Sequence, residues 1–265
     1  MKLDRRHTLK ALAGLALCPL CAPSGFAAET GHAHWGYEGA GGPSHWGDLD
    51  AASKVCSVGS QQSPIDIDHT IRAELSPLDI KWGPDVAAIV NNGHTIQVNV
   101  PAGSTLTLDG KSYTLLQYHF HRPSEHTVGG KAFPMEVHFV HRNDAGGLAV
   151  VGVLMTEGAG NAAFSQVVAA MPQHEGPPVP VSGSWPWKNA SAPGMDPNAF
   201  LPKGRGYYRY TGSLTTPPCS ETVEWLLMAE PVEVAAADVA AFAKLYAMNA
   251  RPVQKLNRRF VLRGG

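Results

Sequence analysis

Apolar and polar positions alternate most strictly at 94–100, HTIQVNV. Successive side chains on a strand point to opposite faces, so 95–100 reads as a strand with one buried face. Residues 148–155, LAVVGVLM, are continuously apolar and predict a central strand buried on both faces. Shorter runs at 80–82, 89–92, 207–210 and 222–228 predict further strands, and QQSPIDI at 61–67 begins an extended segment. Pro64 confines that segment to a strand start or an edge. Two runs at 104–108 and 111–118 flank Asp109-Gly110, a strong signal for a tight hairpin.

Helical periodicity is scarcer. Asn161 can cap a short helix that runs to Met171. The better helix spans 236–248, with Val239, Phe242 and Leu245 spaced to bury one face. Pro and Gly crowd 172–206, predicting loop, and 32–46 (HAHWGYEGAGGPSHW) predicts an irregular arm packed by its tryptophans. The arm's His32, His34 and His45 read as solvated or hydrogen-bonded rather than metal-binding. Many short strands, few helices, no repeat and no break in composition predict one β-dominated domain.

The first 27 residues stand apart from this pattern. A charged start (Lys2, Asp4, Arg5, Arg6, Lys10) leads into an apolar stretch and ends in small residues. This is a secretory signal, too short for a membrane span, with cleavage expected after Ala27. Both arginines, Leu9 and Lys10 match a twin-arginine signal, but Thr8 stands where that pattern prefers Phe, so the export route stays open. Removal takes away four basic residues and one acidic. The mature chain at 28–265 then has 17 basic and 21 acidic residues, a net charge of −4. That balance offers nothing to nucleic acid or to an anionic membrane. Cys18 and Cys21 leave with the signal. Cys56 and Cys219 remain, and in an oxidising compartment one disulfide is the simplest reading, two buried free thiols the alternative. The protein is accordingly expected to be periplasmic or secreted.

Candidate chemistry concentrates in 116–141, LQYHFHRPSEHTVGGKAFPMEVHFVH. His119 and His121 lie two apart and share one strand face. If the two arms of this segment pair antiparallel, His138 reaches the same face from the neighbouring strand. Three neutral nitrogen donors with a fourth position open to water are what a catalytic zinc requires. An H-x-H on an apolar strand with a third His favours metal over ordinary sheet histidines.

HWGY…GPSHW, QSPIDI, NNGH, the whole of 117–141, LAVVG, SLTTPPC and the closing Asn249-x-Arg251-Pro252 together resemble the α-class carbonic anhydrases, exported bacterial members in particular. The motifs run in that family's order over nearly the whole mature chain. The resemblance implies an α+β fold built on a large twisted, mostly antiparallel sheet with peripheral short helices. It implies reversible hydration of CO2 to bicarbonate by hydroxide on a Zn2+ held by His119, His121 and His138. Gln117 and Glu136 would then fix the ligands from behind, as their strand parity also suggests. Thr215 and Glu125 match the pair that orients the hydroxide, and Thr216 a residue on the substrate side. Val140, Val150, Leu214 and Trp225 match a hydrophobic wall, suited to CO2 because that molecule has no net dipole. His94 matches the proton shuttle, and Cys219 a member of a Cys56–Cys219 bridge. Gln97 departs from the Asn common near the proton path, and Arg122-Pro123-Ser124 makes a short link between His121 and Glu125. The implied partner is a small molecule, CO2 or bicarbonate, bound by a monomer or homodimer. A non-catalytic binding module on the same scaffold and a zinc-dependent esterase are the rival readings. The first is disfavoured because all three histidines are present.

Overall fold

Asp109 and Gly110 both have positive φ, +49° and +74°, the backbone that a two-residue hairpin needs to match the twist of its strands. In the computed structural model, which describes residues 34–181 and 194–264, they join the runs at 105–108 and 111–121 into one antiparallel ladder. The expected signal at 1–27, with Cys18, Cys21 and its cleavage point, lies outside the described residues, as does His32.

The described residues begin with 3₁₀ turns and a single helical turn, α1 (Val55–Val58). Strands β1 (Asp66–Ile67), β2 (Thr70–Arg72), β3 (Asp79–Lys81), β4 (Ala88–Asn91) and β5 (Ile96–Asn99) follow. Next come β6 (Thr105–Leu108) and β7 (Lys111–His121), which flank the Asp109-Gly110 turn, then the short β8 (Thr127–Val128) and β9 (Lys131–Ala132). The long β10 (Met135–Arg142) and β11 (Leu148–Glu157) lead to α2 (Ala162–Ala170) and β12 (Val179–Pro180). The last elements are β13 (Tyr207–Gly212), β14 (Val223–Met228), β15 (Val232–Val234), α3 (Ala236–Ala243) and β16 (Val261–Arg263).

Thirteen of the strands form one sheet, whose path runs β12-β4-β5-β7-β10-β11-β14-β13-β16-β2. Its pairings are antiparallel except β11 with β14, β11 with β15 and β16 with β2. The expectation of a large, mostly antiparallel sheet with short peripheral helices holds. The segment 116–141 is not one simple hairpin, however. β7 and β10 do pair antiparallel, but the link between them holds β8 and β9, which join β1 in a separate three-stranded sheet.

The alternation of side chains divides the central strands cleanly. Tyr118, Phe120, Val137, Phe139, Val151 and Val153 enter the larger core, with Phe164 and Val167 of α2 and Val239 and Phe242 of α3. Gln117, His119, His121, Glu136 and His138 occupy the intervening positions of β7 and β10. A second, smaller core on that face gathers Ile65, Val150, Leu154, Tyr210, Trp225 and Leu227. β11 is buried at seven consecutive positions, as a fully apolar central strand should be.

Asn161 caps α2 as expected, its side chain accepting from the amides of Ala163 and Phe164. Helix α3 is shorter than its pattern suggested. It stops at Ala243, its last turn tightening through Lys244 N–H to Ala241 O, and the chain then turns so that Asn249 N reaches Arg122 O at 2.9 Å. That tertiary bond takes precedence over the helical periodicity of 244–248.

Candidate active site

The antiparallel register sets His138 directly opposite His119, with Glu136 opposite His121. Strand parity and this register bring three imidazoles together. Their ring centroids lie 4.6 to 5.4 Å apart, and one nitrogen from each falls within 4.8 Å of the other two.

The opposite nitrogen of each ring is already held. His119 Nδ1 lies 2.8 Å from Gln117 Oε1, His121 Nδ1 lies 2.8 Å from the carbonyl of Asn249, and His138 Nε2 lies 2.8 Å from Glu136 Oε1. Carbonyl and carboxylate oxygens can only accept, so these nitrogens carry the protons and the inward ones carry lone pairs. Burial lowers the pKa of all three rings, further depressed for His119 and His138 by neighbouring imidazoles, and His121 falls to about 4. They are neutral at pH 7, as metal ligands must be.

The inward Nε2 of His121 is buried without a hydrogen-bonding partner among the described residues. An orphaned buried lone pair is costly, and a cation beside it would remove the cost. Three imidazoles with acceptors behind them suit zinc.

Glu136 is fully engaged. One carboxylate oxygen accepts from the amides of Glu125 and His126 at 3.0 and 2.8 Å, and the other from His126 Nδ1 and His138 Nε2 at 2.7 and 2.8 Å. Burial alone would raise its pKa, but the imidazoles of His126 and His138 outweigh that and hold it well below the usual carboxylate range. Gly152 makes room for this group, since a Cβ there would stand 3.1 Å from Glu136 Oε1 and 2.9 Å from Leu227.

Glu125 is a carboxylate of the opposite kind. Its Oε1 accepts from the amide of Arg251 at 2.8 Å, while Oε2 has no hydrogen bond and faces His121 at 3.6 Å and His138 at 3.8 Å. Burial pushes its pKa up to about 7, against His138, the Arg251 amide and the hydroxyl of Thr215. A dication held by the three imidazoles would pull it back toward the ionised form.

Thr215 sits buried in a loop tied down from several sides. Trp225 Nε1 donates to Ser213 O at 3.0 Å, and Ser63 and Ser213 exchange amide-to-hydroxyl bonds at 2.9 and 3.1 Å. Thr216 is half-buried, its carbonyl accepting from Cys219 N. Cys219 is joined to Cys56, 163 residues earlier, with Cα atoms 5.1 Å apart, so the disulfide reading holds.

The four expected wall residues share the second core. Val140 pairs with Val150, and Val150 with Trp225, in one row across β10, β11 and β14, while Leu214 and Val140 are only half-buried. The edge of Trp225 meets His138 at 4.8 Å between centroids.

His94 stands apart from the triad. Its ring lies parallel to Trp35, centroids 3.6 Å apart, and Asn249 Nδ2 donates to its carbonyl at 3.0 Å. Gln97 donates to Asn99 Oδ1 at 2.7 Å.

Three participants went unassigned by sequence reasoning. His126 bridges Glu136 to Tyr210, Asn249 holds His121 through its backbone and Arg122 N through its side chain, and Arg251 holds Glu125. The signal for the last two was present in Asn249-x-Arg251-Pro252, but it named no partner.

A mixed, strand-dominated sheet carrying three convergent neutral imidazoles over a buried carboxylate network defines the class. The family model for eukaryotic-type carbonic anhydrase matches residues 41–264. A carbonic anhydrase from Pectobacterium carotovorum is 42% identical over 241 residues, 89% of this chain and 93% of that protein. The α-carbonic anhydrase of Thermovibrio ammonificans, solved with the inhibitor sulfanilamide, superposes with a TM-score of 0.81 at 43% identity, covering 88% of this chain and all of that one. The Photobacterium profundum α-carbonic anhydrase gives 0.78 at 43% identity, over 86% of this chain and all of that one. The chain belongs to the α-class carbonic anhydrase family and is an enzyme of that family.

Proposed function

We propose that the mature protein hydrates CO2 reversibly to bicarbonate and a proton at a zinc centre formed by His119, His121 and His138. The observation that carries this is the fixed tautomer of all three rings, which turns three lone pairs inward around an orphaned His121 Nε2. The chemistry that zinc would supply there is a water whose pKa drops from about 15.7 to about 7, a source of hydroxide at neutral pH. Gln117 and Glu136 hold the ligand rings. Thr215, donating to ionised Glu125, leaves its own oxygen free to accept from the attacking nucleophile and so aims that nucleophile's lone pair. Val140, Val150, Leu214 and Trp225 give CO2 an apolar seat without competing hydrogen bonds, with Thr216 on the substrate side. His94 takes the released proton and passes it to buffer. Loss of the 1–27 signal and the Cys56–Cys219 bridge fit a periplasmic or secreted enzyme.

The test is His119→Ala, with zinc content and CO2 hydration measured together. Loss of most metal and nearly all activity is the expected outcome, whereas stoichiometric zinc with full activity refutes the assignment. Ester hydrolysis on the same zinc-loaded sample separates this reading from an esterase, which would show the reverse preference.

A further inference from the structure

The turn that carries His94 is clamped by a segment to which no role has been given. Following α2, Gly176 N donates to Asn91 O at 3.1 Å, and Asn91 Nδ2 donates to Pro172 O at 3.1 Å. Between these two ties the carboxylate of Glu175 lies against Gly93, where a Cβ would stand 2.8 Å from Oε2. Gly93 is therefore doubly constrained, by this contact and by a φ of +83° that other residues rarely adopt. Among the described residues Glu175 forms no hydrogen bond and no ion pair, so its placement beside the turn serves no evident structural need.

His34 and Trp35 approach His94 from the N-terminal arm, with the His34 ring 6.1 Å away. Asn92 Oδ1 accepts from His94 N, and Asn249 Nδ2 donates to its carbonyl. Tyr246, beyond α3, donates to Asn91 Oδ1, and burial together with Glu175 pushes its own pKa up to about 12, so it stays neutral.

We infer that Glu175 is a positioning residue for His94, held against the Asn91–His94 turn as the counter-charge the imidazole meets each time it carries a proton. The inference rests on the reading of His94 as the shuttle. Accepting a proton puts a positive charge on a ring that is half-buried and faces a second histidine. Burial and His34 both disfavour that charge and lower the His94 pKa, while Glu175 opposes them. A shuttle that is too weak a base accepts slowly, and one that is too strong releases slowly. Glu175 and His34 pull in opposite directions on that balance.

The experiment follows the imidazole Cε1–Hε1 signal of His94 through a pH titration of the zinc-loaded protein by NMR, with His94→Ala for assignment. In Glu175→Gln the midpoint should fall, and in His34→Asn it should rise. The Glu175→Gln difference should shrink between about 0.01 M and about 1 M salt, where the Debye length drops from about 30 Å to about 3 Å. Glu175→Asp should keep part of the wild-type midpoint, which a merely structural contact would not predict. Hydration kcat should drop several-fold in Glu175→Gln, much more than kcat/KM. Equal midpoints in wild type and Glu175→Gln at low salt overturn the inference alone. A His94→Ala enzyme with undiminished kcat overturns the shuttle reading, and with it any part for Glu175 in turnover.

Discussion

Glu136 shows how much a single side chain can be asked to do. Its four lone-pair positions meet four N–H donors, two from backbone amides and two from imidazoles. Glu136→Gln keeps the shape but turns one acceptor into a donor facing a donor. Zinc affinity, measured by competition with a chelator, should fall by about 10- to 100-fold. An unchanged affinity would mean that His138 needs no acceptor behind it. His94 makes its prediction at the same scale. His94→Ala should lower kcat in weak buffer while kcat/KM stays nearly intact, because CO2 hydration precedes the proton's departure. Added imidazole should restore much of the loss, and a failure of that rescue would place the exit route elsewhere.

At the scale of elements, β10 carries the ligand face and the core face together. His141, on the core face, is buried between Trp82 Nε1, which donates to its Nε2 at 3.0 Å, and the carbonyl of Ala149, which its Nδ1 meets at 3.2 Å. Burial lowers its pKa to about 4 despite the bonds to backbone carbonyls. The unfolded chain takes up this proton near pH 6.5, the folded one only near 4. This stability is therefore present above pH 6.5 and lost as pH falls toward 4, by about 3 kcal/mol over the window. Urea unfolding of metal-free wild type and His141→Asn at stepped pH should show a shallower acid loss in the variant. Parallel curves would remove His141 as a cause.

The elements also show what could be read in advance. Period-two alternation placed His119, His121 and His138 on one face, because parity is a local property of each strand. The resemblance grouped Val140 with Val150 and Trp225, and the register sets the three in one row. What stayed hidden depends on distant chain. The acceptor behind His121 is a backbone carbonyl 128 residues away, and a backbone atom leaves no mark in residue type. The end of α3 was misjudged for the same reason, since Asn249 is claimed by Arg122. His126 was overlooked because a lone His between Glu125 and Thr127 looks like part of a turn.

Across the whole molecule the Cys56–Cys219 bridge closes a loop spanning 163 residues. The chain-entropy model gives up to roughly 5 kcal/mol for so long a loop, with measured values often lower. Cys56 O also accepts from Arg251 Nη2, and Arg251 holds Glu125, so one bridge end adjoins the Thr215 loop and the other the Glu125 support. Thiol titration of the denatured, unreduced mature protein should find none. Reduction should lower the unfolding midpoint, and two free thiols before reduction would refute the bridge.

Asn249 and Arg251 come late in the chain, more than a hundred residues after His138. During synthesis the three ligands therefore emerge long before the carbonyl that sets the His121 tautomer and the amide that holds Glu125. The pairing of β16 with β2 is later still. Such long-range contacts form slowly and only once both partners exist. On the zinc reading, an unfinished or clipped polypeptide would carry all three proposed ligands yet lack the supports behind His121 and Glu125, and tight metal retention would mark that translation had reached its end.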